Sequence, residues 1–137
     1  MIDEHAALIY TMVLVSAADN EMSDQEIRAI GEIIDFLPVF RDFDRNRLAE
    51  TASNCAALLD SDEGLETVLG LIATTLPPRL RETAYALACE VAVSDLKLEQ
   101  EELRMLEMMR HALELDRLVA AAIERGVRAR YTVLDEH

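Results

Sequence analysis

Displaced by 76 residues, the chain matches itself. Val15 falls on Val91, Asp19 on Asp95, Glu26 on Glu102 and Arg28 on Arg104. Met22, Ile27 and Ile30 fall on Leu98, Leu103 and Leu106. Each copy is an apolar run, an Asp, a short turn and a second run with Glu near its start. A repeat of this kind constrains the fold strongly, because a unit that cannot bury its own apolar face must bury it against its twin.

The first run of copy one holds Ala6, Ala7, Leu8, Ile9, Met12, Val13, Leu14 and Val15. That of copy two holds Ala84, Tyr85, Leu87, Ala88, Cys89, Val91, Ala92 and Val93. A helix apolar nearly all round is buried on most sides. The second runs are amphipathic, with Ile27, Ile30, Ile34 and Leu37 in one and Leu103, Leu106, Met109 and Leu113 in the other. Each copy therefore reads as a helical hairpin whose first helix is the more buried.

Punctuation sets the helix limits. The first helix is predicted from about Asp3 to Ala18. Ser23 and Glu26 form a capping box that opens the second, and Pro38 ends it. Val39 to Phe43 reads as a loop anchored by Phe40 and Phe43. Asp44 is expected to cap a third helix reaching Leu59, and Asp60-Ser61-Asp62 a fourth reaching Leu76. Pro77-Pro78 stops the fourth, and a fifth is predicted from Leu80 to Ser94. The sixth follows the turn Asp95-Leu96-Lys97-Leu98, and Asp116 caps a seventh that runs to about Arg130. With Gly 4 and Pro 3, the chain has too few punctuators for a many-stranded sheet. The expected fold is all-α, a single domain over residues 1–137 with about seven helices and two pseudo-symmetric helical hairpins. The third, fourth and seventh helices should cover the outside. At 51% hydrophobic and only 4% aromatic, the core must be aliphatic.

Asp+Glu number 27 against 13 Lys+Arg, a formal net charge of −14. Nucleic-acid binding, which needs clustered positive charge, is excluded on that balance. An anionic bilayer would be repelled too. The longest uncharged stretch near the start, Ala6 to Ala18, is 13 residues. A membrane span needs about 20. The expectation is a soluble, cytoplasmic protein with no direct membrane insertion. Cys55 and Cys89 read as reduced core residues.

Seven residues separate Asp from Glu in both copies, Asp19 from Glu26 and Asp95 from Glu102. A short turn between antiparallel helices should bring Asp19 and Glu26 together at the exposed end of the first hairpin, with Glu21 nearby. Clustered carboxylates suit hard cations such as calcium, magnesium or manganese. The arrangement is not an EF-hand, which needs Gly at its sixth position and Glu at its twelfth. Counted from Asp19 those positions are Asp24 and Ile30, and from Asp95 they are Gln100 and Leu106. Lys97 makes copy two the weaker cation site. Local capping explains the same acids without a metal: Asp satisfies backbone N–H groups at a turn, and Glu complements the dipole of a helix's first turn. A partner-docking surface is the third reading.

Other residues carry less. Glu90 shares a stripe with Ala86 and Ser94 and reads as solvent-exposed. His5, His111 and His137 are scattered and lack the spacing of a zinc site. Met105, Met108 and Met109 read as core packing. No Gly-rich phosphate loop, nucleophile elbow or Cys/His arrangement supports catalysis.

The segment Ser16-Ala17-Ala18-Asp19-Asn20-Glu21-Met22-Ser23-Asp24-Gln25-Glu26 resembles the signature of the TerB-like tellurite-resistance family, and Val93 to Glu102 resembles its second copy. The similarity runs from about Leu8 to Tyr131 and is weakest between Val39 and Pro78. It departs from the signature at Asn20 and Leu96, where glycine is expected. The resemblance implies an all-α fold with internal pseudo-symmetry. It implies a cytoplasmic, non-enzymatic role in tellurite and related stress resistance, beside a TerC-like membrane partner. It also implies acidic metal-binding positions, which fall here on Asp19, Glu26, Asp95 and Glu102. An acidic protein-interaction or scaffold domain without metal is the alternative.

Overall fold

A computed structural model describes residues 2–18, 23–94 and 100–134. Seven α-helices account for most of them: α1 (Glu4–Ser16), α2 (Asp24–Phe36), α3 (Leu48–Leu59), α4 (Gly64–Thr75), α5 (Pro78–Val93), α6 (Gln100–Ala112) and α7 (Arg117–Arg130). Two short 3-10 turns, Pro38–Phe40 and Arg45–Arg47, lie between α2 and α3. No strand occurs among the described residues. The all-α, seven-helix expectation is met.

Packing follows the apolar runs. Every residue of α1 from Ala7 to Ser16 is buried, and α5 buries Ala84, Tyr85, Leu87, Ala88, Cys89, Val91 and Ala92. The two helices pack on each other as the centre of the fold. α3 and α4 pack on α1, and on each other; α7 packs on α5. α2 reaches α5 and α6 reaches α1, as well as each lying beside its own hairpin partner. Buried residues of these helices join a single cluster. Thr11, completely buried in α1, donates its hydroxyl to Ala7 O at 2.8 Å, so its polarity is satisfied inside the helix.

The capping signals work with local revisions. Asp3 caps α1 by accepting from Ala6 N at 2.8 Å, and Asp116 caps α7 by accepting from Leu118 N and Val119 N. Asp44 accepts from Asn46 N, but it caps the 3-10 turn Arg45–Arg47 rather than α3 itself. Asp60-Ser61-Asp62 does not cap α4: the helix starts after Glu63 without a side-chain cap. Gly64 opens α4 instead, because a Cβ there would lie 2.5 Å from Leu58 O and 2.6 Å from Leu59 O. Pro78 stands at the first position of α5, which therefore starts two residues before the predicted Leu80. Proline has no N–H to lose at that position.

Three expectations about side chains change. Ile27 and Leu103 are not core residues; they are 51% and 50% exposed. The buried stripe of α2 runs through Glu26, Ile30 and Ile33, and that of α6 through Glu102, Leu106 and Met109, one residue away from the stripe suggested by Ile27 and Leu103. Glu90 is not a free surface acid: Arg130 Nη1 lies 3.1 Å from its Oε1, and its side chain is only 14% exposed because α7 covers it. His5 is not idle. It stacks on Phe40 at 5.5 Å and meets the edge of Phe43 at 5.3 Å, while its Nε2 lies 2.8 Å from Val39 O. The loop anchors Phe40 and Phe43 thus hold the start of α1 as well.

Arg81, in the first turns of α5, ties two other helices to it. Its Nε and Nη2 donate to Leu76 O and Ala73 O at the end of α4, at 3.1 and 2.7 Å, and its Nη1 donates to Leu113 O beyond α6, at 3.3 Å. A cation at two helix C-termini also complements both dipoles. Arg81→Ala is expected to lower unfolding free energy by about 2–4 kcal/mol, because bonds from a charged donor are lost and buried carbonyls are left unpaired. Arg81→Lys, lacking the planar fork, should recover less than half of that loss. Chemical denaturation of the three proteins checks both. A second expectation concerns the end of α6. Glu114 N donates to His111 O and Leu115 N to Arg110 O, a Schellman motif, and Glu114 adopts a φ of 55°. Glycine suits that conformation, so Glu114→Gly should raise stability by about 1 kcal/mol. A lower denaturation midpoint for Glu114→Gly would contradict this.

Candidate functional site

The acids singled out by the repeat lie where α1 meets α2 and where α5 meets α6. Asp19 and Glu21, and Asp95 with Lys97, fall outside the described residues. Glu26 and Glu102 are described, and both differ from the exposed placement expected for Glu26 and its twin. Glu26 is 3% exposed and Glu102 is 1%. The helix leans each side chain back toward its N-terminus and onto the buried stripe. Carboxylates are rarely this buried, so the pair is the least ordinary chemical feature of the described molecule.

Local bonding accounts for part of Glu26. Ser23 Oγ accepts from Glu26 N at 3.0 Å, and Glu26 Oε1 accepts from Ser23 N at 3.0 Å. This is the predicted capping box, made in full. In copy two the residue matching Ser23 is Glu99, which has no hydroxyl for the reciprocal bond. Glu102 is nevertheless the more buried of the two. Beside each buried acid stands an exposed branched aliphatic, Ile27 or Leu103. At the end of α1, three positions before Asp19 in the sequence, Ser16 Oγ is buried and has no hydrogen-bond partner among the described residues.

As a set of donors, these residues offer oxygen alone. That is the chemistry of a hard cation and not of zinc or copper. Among the described residues no three His, Cys, Asp or Glu side chains gather closely enough to hold a metal ion. Each described half supplies one carboxylate, and Glu26 has one oxygen committed to Ser23 N.

A second polar feature escaped the sequence reading. Tyr85 of α5 donates to Glu124 of α7 at 2.5 Å, across a cleft of about 310 Å³ between α5, α6 and α7. Cys89, Leu103 and Arg128 also line it. Burial, then the bond to Glu124, raises the Tyr85 phenol well above its ordinary pKa. Burial first, and the Glu124 charge second, push the Cys89 thiol up to about 12. Burial alone pushes Cys55 to about 12. Both free cysteines are therefore protonated and poorly nucleophilic at neutral pH, as core residues should be. Tyr85 and Glu124 are 39 residues apart, and no periodicity or motif in the sequence connects them.

No described helix is long and apolar enough to cross a membrane. No curated protein and no solved structure is significantly similar to the chain. A family profile does match: that of the tellurite resistance protein TerB, over residues 5–125. This span takes in α1 to α6, both acidic turns and most of α7. With both copies of the acidic signature inside the matched region, the chain belongs to the TerB family.

Proposed function

We propose that this TerB-family chain is a non-enzymatic, cytoplasmic module of tellurite and metal-stress resistance that takes up a divalent cation through its acidic turns. Asp19, Glu21 and Glu26 form the stronger site, and Asp95 and Glu102 the weaker. Calcium, magnesium and manganese are the ions that such oxygen donors favour. A TerC-like membrane protein is the partner in this reading. The observation that carries it is the burial of one glutamate at the same step of both copies, Glu26 at 3% and Glu102 at 1% exposed. A buried carboxylate gains from a neighbouring positive charge. The buried Ser16 Oγ just before the first turn, without a partner among the described residues, adds one more oxygen in the same region.

Pseudo-symmetry belongs to this proposal. α2 and α6 are both 13 residues long and start 76 residues apart, at Asp24 and Gln100. Burial agrees at Glu26 and Glu102, Ile30 and Leu106, and Ile33 and Met109, though Gly31 is buried and Glu107 exposed, and it agrees between α1 and α5 at Leu8 and Ala84, Met12 and Ala88, and Val15 and Val91. Two hairpins of one design would present two acidic turns of one design. In copy two, Lys97 and the Leu at position 96 alter the turn, so its response should be smaller.

The second reading is an acidic interaction domain in which the glutamates only cap, and the complete Ser23–Glu26 capping box favours it. Linkage separates the two. A cation that binds the folded state alone adds about 2.7 kcal/mol at a hundred times its Kd. The melting temperature of the wild type should rise with calcium, magnesium or manganese, while Asp19→Asn/Glu26→Gln should keep only the smaller rise that copy two supplies. Flat, parallel curves for both proteins remove the cation and leave the caps. The caps have their own signature. Ser23→Ala should cost about 1 kcal/mol in metal-free buffer. Glu26→Gln keeps an acceptor for Ser23 N and should cost less, as measured by urea denaturation.

A further inference from the structure

The net charge of −14 is unevenly spread. α7 carries Arg117, Arg125, Arg128 and Arg130 against one acid, Glu124. Glu90 engages Arg130, and Tyr85 engages Glu124. Arg117, Arg125 and Arg128 are exposed and form no ion pair among the described residues. The α3–α4 region is the reverse. From Leu48 to Pro78 there is no Lys, Arg or His, and Asp60, Asp62, Glu63 and Glu66 are all exposed.

The two charged faces are also alike in relief. The outward face of α7 is Leu118, Ala121, Ala122, Arg125 and Ala129, with Leu118 80% exposed. That of α4 is Glu66, Thr67, Gly70 and Thr74. Gly70 in α4 and Gly126 in α7 both have open space where a Cβ would be. Glycine inside a helix costs stability relative to alanine, and neither position gains any packing within one copy. Low faces let a second helix come close, since interaxial distance depends on the side chains at the contact.

Within one copy these faces cannot serve each other, for α7 packs on α5 while α3 and α4 pack on α1. We propose that the outward face of α7 in one copy docks on the outward face of α4 in the next, with Arg125 meeting Glu66 on the faces and Arg128 meeting Glu63 at their edge. The occupant is a second copy of this chain because charge and relief match on both sides. A nucleic acid or an anionic bilayer would answer α7 alone and leave the acidic α3–α4 face unmatched, whereas a second copy answers both. Contact between two different patches is heterologous, so each added copy leaves one basic and one acidic face open, and the product is a head-to-tail chain rather than a closed dimer.

Sedimentation of the full chain over a range reaching millimolar concentration tests this. At an ionic strength of about 0.1 M, where a Debye length of about 10 Å damps the net repulsion between copies but spares charges in contact, the average mass should climb from 15.4 kDa past that of a dimer. At about 1 M, where the Debye length is about 3 Å, it should return to 15.4 kDa. Arg125→Ala/Arg128→Ala and Glu63→Gln/Glu66→Gln should each stay monomeric, with melting curves close to wild type. Mixed one to one, they should form a dimer and stop, since each supplies the face that the other lacks. Gly70→Leu keeps every charge and should also abolish association. A wild type that stays monomeric at the lower ionic strength overturns the proposal. So does self-association of either charge variant, a mixture that does not pair, or a Gly70→Leu protein that still assembles. Monomeric wild type bound to phosphatidylserine vesicles through Arg125 and Arg128 would assign the basic face to membranes, which also overturns it.

Discussion

Packing of α1 against α5 is the constraint on which the other helices depend. Neither helix has a polar stripe wide enough to face water: α1 buries Ala7 through Ser16 without a break, and α5 buries Ala84, Ala88 and Ala92 completely. Each large apolar side chain left exposed instead would forfeit about 1.5–3 kcal/mol. The pair therefore demands cover on every side, and five further helices supply it. Three alanines at i, i+4 and i+8 of α5 make a smooth ridge against which a neighbouring helix can lie close. Thr11 can sit in this centre only because its hydroxyl is spent on the carbonyl of Ala7.

The covering helices are short, and their ends are held by polar contacts. Helices of 12 to 14 residues have little stability of their own, so their end groups matter. Arg81 answers carbonyls of α4 and of the residue after α6 at once, from a position fixed by the start of α5 at Pro78. His5 does related work at the other end, joining α1 to the loop through Val39 O, Phe40 and Phe43. Glu90 and Arg130 fasten α7 to α5. The contacts of Arg81 with Leu113, His5 with Val39 and Glu90 with Arg130 span 32 to 40 positions in the chain, which makes each a tertiary fastening rather than a local one.

Helix number and helix limits were legible because prolines, Asx residues and the 3.6-residue period act locally. Pro77-Pro78, Asp116 and the Ser23–Glu26 box each do what their types require over three or four residues. The face of each amphipathic helix was less legible. Ile27 and Leu103 looked like core, and Glu26 and Glu102 like surface, yet burial is the other way round. An apolar stripe in a short helix is fixed only to within about one residue, or 100°, and residue type settles the tie wrongly when a buried acid is involved. Glu90 with Arg130, and Tyr85 with Glu124, were illegible for a different reason. They join residues 40 and 39 apart, and nothing in a single sequence records which helices will be neighbours.

The two acidic turns show what a repeat keeps and what it lets go. In both copies an Asp precedes a Glu by seven residues, and the Glu is buried beside an exposed Ile or Leu. Between them the residues diverge: Asn20 against Leu96, Glu21 against Lys97 and Ser23 against Glu99. Divergence at Ser23 bears on the role of the acid. A capping box is reciprocal, and losing the hydroxyl removes half of it. The half that is lost serves the backbone N–H of the glutamate and not its carboxylate, and Glu102 is buried as fully as Glu26. Burial of a carboxylate is costly unless something answers its charge or its hydrogen-bonding capacity. What the two copies share is therefore the buried carboxylate in the first turn of the second helix, and in copy one the hydroxyl of the capping serine is an addition to it.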